Sequence, residues 1–141
     1  GGTYNRFLGI AKHIGINTFE NNIFYKAKKV DYVTACCLFI SKSTIELLNG
    51  FDTDYKMYYE DVDLCHRASI KGFNSYLIDS EPIEHEVSYS LGNNSFKKRY
   101  HMFLSQIKFI YKHNNFFIFL ISCLINFFIL PLYWIKRIIR I

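Results

Sequence analysis

Hydrophobic and polar positions divide the chain into segments of different periodicity. Residues 1–29 are polar, Asn-rich and weakly periodic, which predicts loop with one short element. The run Val30 to Ile40, VDYVTACCLFI, is apolar and rich in β-branched and aromatic residues, and its length suits a buried strand. Ser43-Thr44-Ile45-Glu46 has the form of a capping box and Gly50 that of a stop, so a short helix is expected over residues 44–49. The turn residues Asp52-Thr53-Asp54 and the aromatic stretch Tyr55 to Tyr59 lead into a second helix, expected from Glu60 to Lys71 with a stop at Gly72. Phe73 to Ile78 and Ile83 to Val87 read as short strands around a turn at Asp79-Ser80-Glu81-Pro82. Strands alternating with helices predict an α/β layer arrangement.

Further along, Phe96, Tyr100, Phe103, Leu104, Ile107, Ile110 and Tyr111 recur at helical spacing, with basic residues on the other faces. That stripe packs either on the domain core or on a membrane. Residues 116–135 carry no charge and are long enough to span a bilayer, though Asn126 and Pro131 interrupt them. A spanning helix would leave Lys136, Arg137 and Arg140 in the cytoplasm; a helix lying in the membrane surface is the other reading. The chain therefore divides into an α/β part, residues 1–115, and a membrane-associated or transmembrane helical tail, residues 116–141.

Composition sharpens this division. Half the residues are hydrophobic and 18% aromatic, rich for a soluble domain. The net charge of +5 comes largely from Lys97, Lys98, Arg99, Lys108, Lys112, Lys136, Arg137 and Arg140. These charges flank apolar runs, which fits anionic lipid better than nucleic acid, and no nucleic-acid motif accompanies them. Cys36, Cys37, Cys65 and Cys123 lack metal-ligand spacing and are expected as small buried hydrophobes in a reducing compartment. The start Gly1-Gly2-Thr3, without an initiator Met, reads as part of a longer protein.

The candidate chemistry lies in an acidic cluster: Asp54, Glu60, Asp61 and Asp63. Such clusters are commonly solvated turns. A helix beginning at Glu60, however, puts Asp61, Leu64, Cys65 and Ala68 on one apolar face, while Asp63 and Arg67 pair four residues apart on another. In a helix's first turn a carboxylate meets free N–H groups, and from there it can take a proton from a hydroxyl nucleophile. Asp52-Thr53-Asp54 reads as a turn. His13, His66, His101 and His113 are expected on surfaces, and His85, between Glu84 and Glu86, is a surface residue on chemistry alone. No Gly-rich phosphate loop is present.

The sequence NGFDTDYKMYYEDVDLCHRASIKG resembles the acceptor-side motif of family 2 glycosyltransferases, inverting GT-A enzymes, above all rhamnosyltransferase-like bacterial members. Gly50-Phe51-Asp52, Tyr58-Tyr59, Glu60-Asp61-Val62-Asp63-Leu64, Arg67 and Gly72 carry the likeness. VDYVTACCLFISK is similar to the family strand bearing a Gly-Ala pair at the sugar site, where Ala35-Cys36 stand here. Pro82-Ile83-Glu84-His85, with Ser90 beyond, resembles the late His segment, and the likeness covers residues 30–113.

The resemblance implies the C-terminal part of a GT-A fold followed by the membrane-associated tail. It implies Asp61 as general base, Glu60 as companion carboxylate, and Tyr59, Ala35 and Cys36 at the acceptor. His85 would ligate a divalent metal, Mg or Mn, held mainly by a donor-binding half ahead of Gly1. The implied partners are a nucleotide-sugar donor, a glycan or lipid-linked acceptor and membrane lipid, at the cytoplasmic face of the cell membrane, in bacterial polysaccharide biosynthesis. Without the donor half, the chain alone is expected not to transfer sugar. A non-catalytic membrane-associated module, or a degenerate fragment, is the competing reading.

Overall fold

The structure, a computed structural model, describes residues 1–14, 27–78 and 95–129. The strand expected at Ile83–Val87, and His85 within it, lie outside the described residues. What is described is a mixture of helices and short antiparallel strand pairs.

Within the polar start, where loop with one short element is expected, the described residues 1–14 form a hairpin. Gly2–Asn5 (β1) and Ile10–His13 (β2) pair antiparallel, Gly2 opposite His13 and Asn5 opposite Ile10. Two glycines make the hairpin possible. A Cβ at Gly2 would stand 1.9 Å from the Lys12 carbonyl oxygen, and Gly9 holds φ +64° against the Ile110 side chain. The Asn5 side chain closes the connection by accepting the Leu8 N–H at 2.9 Å. From the far end of the hairpin, Gly2 donates to the Tyr32 carbonyl at 2.9 Å and accepts from the N–H groups of Asp31 and Tyr32.

A second antiparallel pair joins Lys28–Val30 (β3) to Ser75–Leu77 (β4). The continuous buried strand expected over residues 30–40 does not form. Its ladder ends at Val30, Tyr32 makes one bridge to Gly2, and Ala35–Cys37 wind into a single 3₁₀ turn. Only Val30 and Tyr32 of that run are buried; Cys36, Cys37, Phe39 and Ile40 are exposed. The reason is tertiary. The Ala35 N–H is taken by the Asp61 side chain, so it is not offered to a neighbouring strand.

Helix α1 (Lys42–Leu47) begins earlier than the capping box around Ser43 suggests, because Ser41 caps it and accepts the Thr44 N–H at 3.1 Å. Left-handed Asn49 and Gly50 end it. Helix α2 (Glu60–Ile70) matches its expected extent, with Glu60, Asp61 and Asp63 in the first turn and Gly72 at φ +86° past the end. It is the central element. Val62 and Cys65 pack with Tyr32, Tyr55, Tyr59 and Phe109, whereas Leu64 and Ala68 pack with Leu48. Cys65 is the one thiol that meets the expectation of burial; Cys123 is half-buried and the vicinal pair is exposed.

Helix α3 (Ser95–His113) has the expected bounds but is rotated about its axis. Ser105, Phe109 and Ile110 are buried, whereas Phe96, Tyr100, Leu104 and Tyr111 of the predicted stripe are exposed. Asn115 then caps α4 (Phe116–Leu124) by accepting the Ile118 N–H at 2.9 Å, and a π-turn follows over Ile125–Ile129. The expected apolar helix thus changes its winding within the described part, and residues 130–135 lie outside the described residues. Among the described residues no helix is long and apolar enough to cross a membrane.

Candidate functional site

The entry to α2 is strained. Tyr58 and Tyr59 occupy the left-handed region in succession, at φ 65° and 69°, which costs each residue roughly 1–3 kcal/mol. Core packing holds them there. The buried Tyr59 ring packs near Phe109, and its hydroxyl, pushed up to about 12 mainly by burial, donates to the Gly9 carbonyl. Tyr59 therefore does not present its side chain to a cleft, as expected of an acceptor contact. It acts through its backbone, turning the chain so that Glu60 and Asp61 open the helix.

Asp61 and the Ala35-Cys36 pair, 26 positions apart in sequence between residues 35 and 61, do meet. Asp61 Oδ1 accepts the Val62 N–H at 2.8 Å and Oδ2 accepts the Ala35 N–H at 3.3 Å. Asp61 is half-buried, Ala35 and Cys36 are exposed, and the Thr34 hydroxyl lies 3.2 Å from the Cys36 sulfur. A carboxylate offers about four lone-pair sites, so this one keeps acceptor capacity on its open side. Beside it, Glu60 is half-buried, with Oε2 enclosed and lacking a hydrogen-bond partner. Burial, and secondarily the Asp61 charge, push the Glu60 carboxyl above the usual range against a hydrogen bond from backbone. Two adjacent carboxyls thus differ in environment, one held by backbone donors and one desolvated.

Asp63 has a different role. It pairs with Arg67 as the helical spacing predicts, Nε to Oδ2 at 2.7 Å, but it is also the most deeply buried acid of the cluster, 1% exposed. His113 Nε2 meets its other oxygen at 2.7 Å. Burial would raise this carboxyl; the bonds from His113 and Arg67 outweigh it and hold it below its ordinary value. The Arg67 guanidinium also reaches the Leu48 and Gly50 carbonyls, tying α1 to α2.

Two histidines expected on surfaces belong to this interior network. His66 is 5% exposed, stacks against Phe109 and His113, and shares a 2.7 Å hydrogen bond through Nδ1 with the Tyr4 hydroxyl. Burial chiefly lowers it to about 4. One signal was present in the sequence: His66 lies one helical turn after Val62, on the buried side of α2.

The Asp52–Asp54 segment is the expected turn, with the Asp54 N–H bonded to Asp52 Oδ1 at 3.0 Å. Both carboxylates grip the Lys112 ammonium from α3, the Asp54 contact at 2.8 Å. Among the described residues no three His, Cys, Asp or Glu side chains gather as a metal site.

The chain is similar to known proteins over part of its length. Over 67 residues the chain is 33% identical to the N-acetylglucosaminyl-diphospho-decaprenol L-rhamnosyltransferase of Mycobacterium tuberculosis, covering 48% of this chain and 22% of that protein. It is 31% identical over 83 residues to the rhamnosyltransferase WbbL of Escherichia coli (strain K12), 57% of this chain and 30% of that one. A 50-residue stretch is 32% identical to the low-salt glycan biosynthesis hexosyltransferase Agl10 of Haloferax volcanii, 36% of this chain and 16% of the relative. No family model matches the chain, and no solved structure matches it. The chain spans less than a third of the length of these curated relatives. Their names agree on glycosyl transfer, and the partial similarity supports that general function.

Proposed function

We propose that this chain is the acceptor-side part of an inverting family 2 glycosyltransferase of GT-A fold, with Asp61 as general base. The observation that carries the reading is the placement of Asp61. Its half-buried carboxylate opens α2 against the exposed Ala35–Cys37 turn and accepts two backbone N–H groups. In the reaction, an acceptor hydroxyl gives its proton to Asp61 while its oxygen attacks the anomeric carbon of a nucleotide-sugar. The bond to the nucleotide diphosphate breaks on the opposite face, and the configuration inverts. Glu60, half-buried and next in sequence to Asp61, is the companion carboxylate at the acceptor in this reading. Ala35 and Cys36 form the rim against which the sugar packs.

A divalent cation, Mg or Mn, belongs to this chemistry as the counter-charge of the leaving diphosphate. The described residues supply no ligand set for it, and no step here passes through it. In this reading it is held by a donor-binding half outside these residues, with His85 as a further ligand. The whole protein would transfer a sugar to a glycan or lipid-linked acceptor at the cytoplasmic face of the cell membrane.

The test uses the protein carrying its donor half. Asp61→Asn should lower transfer by about a hundredfold or more, the usual contribution of a general base, while nucleotide-sugar affinity stays at the wild-type value. Normal turnover by that variant would overturn the assignment and favour a non-catalytic membrane-associated module.

A further inference from the structure

Helix α4 is built inside out. Ser122, 2% exposed, donates to the Phe7 carbonyl and lies 2.7 Å from the Ile118 carbonyl. One turn on, Asn126 donates to the Leu8 carbonyl at 3.2 Å and accepts from Gln106 at 2.9 Å. The small and polar side chains thus attach the helix to the β1–β2 connection and to α3. Phe117, Leu120, Ile121, Leu124, Phe127 and Phe128 face outward, from 43% exposed at Leu120 to 76% at Phe117. In water a surface helix buries its apolar side and shows its polar one. Polar contacts inside with Phe, Leu and Ile outside is the arrangement adopted where the surrounding solvent is hydrocarbon.

Charge identifies which apolar surroundings suit it. All 12 acidic residues occur at or before Glu86; from Val87 to Ile141 there are Lys and Arg but no Asp or Glu. The Lys97-Lys98-Arg99 and Lys136-Arg137 clusters lie on either side of α4 in sequence. An apolar face in a segment with this one-sided charge complements a bilayer surface of anionic phosphates, each nearby Lys or Arg adding about 1 kcal/mol of attraction.

We propose that the outward face of α4 inserts into one leaflet of an anionic lipid bilayer and anchors the chain there. The proposal stands on α4 and the charge distribution, independently of Asp61. The experiment is sedimentation of the 141-residue chain with vesicles of phosphatidylcholine containing phosphatidylglycerol, and with pure phosphatidylcholine vesicles. Wild type should partition at least about tenfold more strongly onto the anionic vesicles. The triple variant Phe117→Ser, Leu120→Ser, Leu124→Ser should lose about a hundredfold in partition while keeping its circular dichroism, since these side chains are exposed. Asp61→Asn should sediment as wild type, so that loss of membrane binding and loss of transfer are read separately. Equal sedimentation of wild type and the triple variant would overturn the proposal. So would a dimer in solution that the serines abolish and that leaves the vesicles unbound, which would make a second copy the occupant of this face.

Discussion

Asp61 and Asp63 are two positions apart, and replacing each by Asn should separate function from stability. Asp63 is 1% exposed and bridges two partners, Arg67 Nε and His113 Nε2, each at 2.7 Å. Asn keeps the shape and one acceptor oxygen, but points an amide NH₂ at one of those donors. Each bond to a charged group is worth about 1.5–3 kcal/mol, and breaking a buried pair from one side costs about 3–5 kcal/mol. With one bond retained, Asp63→Asn should lose about 3 kcal/mol, against a stability of roughly 5–15 kcal/mol for a domain. Asp61 is half-buried and accepts one good backbone bond at 2.8 Å and one long one at 3.3 Å, and an amide oxygen can keep the first. Asp61→Asn should therefore cost no more than about 1 kcal/mol. Urea unfolding followed by circular dichroism reads both values, with equal m-values securing the comparison. A loss below about 1 kcal/mol for Asp63→Asn would refute the claim that this carboxylate holds α2 and α3 together. Equal losses in the two variants would refute the division of roles.

Stability should also depend on pH through His66. Its folded value of about 4, below the ordinary 6.5, means the native state favours the neutral ring, so the contribution is complete above pH 6.5 and is lost as pH falls towards 4. The full effect is about 3 kcal/mol, read as a shift in urea midpoint between pH 7 and pH 4.5, and a flat profile would contradict the burial of this ring. Asp63, held below its ordinary 3.8, adds a loss of the same sign at still lower pH. Gly9→Ala should cost about 2 kcal/mol or more, because φ is +64° and the new Cβ would lie 2.8 Å from Ile110 Cγ1; an unchanged melting temperature would show that the connection can relax.

What the sequence made legible was local. The bounds of α2 followed from acids in its first turn and Gly72 after its last, and those of α3 from its helical spacing. The Asp63–Arg67 pair also followed from spacing alone. What escaped depended on partners far along the chain. Val30 to Ile40 had strand composition, but Asp61 and Gly2 claim its backbone, and no neighbour continues its ladder. The stripe on α3 was rotated because Ser105 and Phe109, facing Met57 and Tyr59, are the residues that meet α2 and its entry. His113 gave no local sign of a place in the interior and His66 only its spacing from Val62, since Tyr4 and Asp63, their partners, come from other elements. The bond between Ala35 and Asp61 was not legible, because spacing on one helix says nothing about what lies opposite.

The hairpin has a mechanical consequence. Its closed end receives Ser122, Gln106 and Asn126 on the carbonyls of Phe7 and Leu8, and its open end is fastened through Gly2 to Tyr32, three residues before the turn that touches Asp61. Four paired residues on each strand make a strut of about 13 Å. Were α4 seated in a leaflet as proposed, that strut would couple the lipid contact to the segment that touches the carboxylate. An acceptor carried on a membrane anchor would then be selected by the distance between its reactive hydroxyl and its own tail, a ruler set by backbone rather than by any side chain at the site.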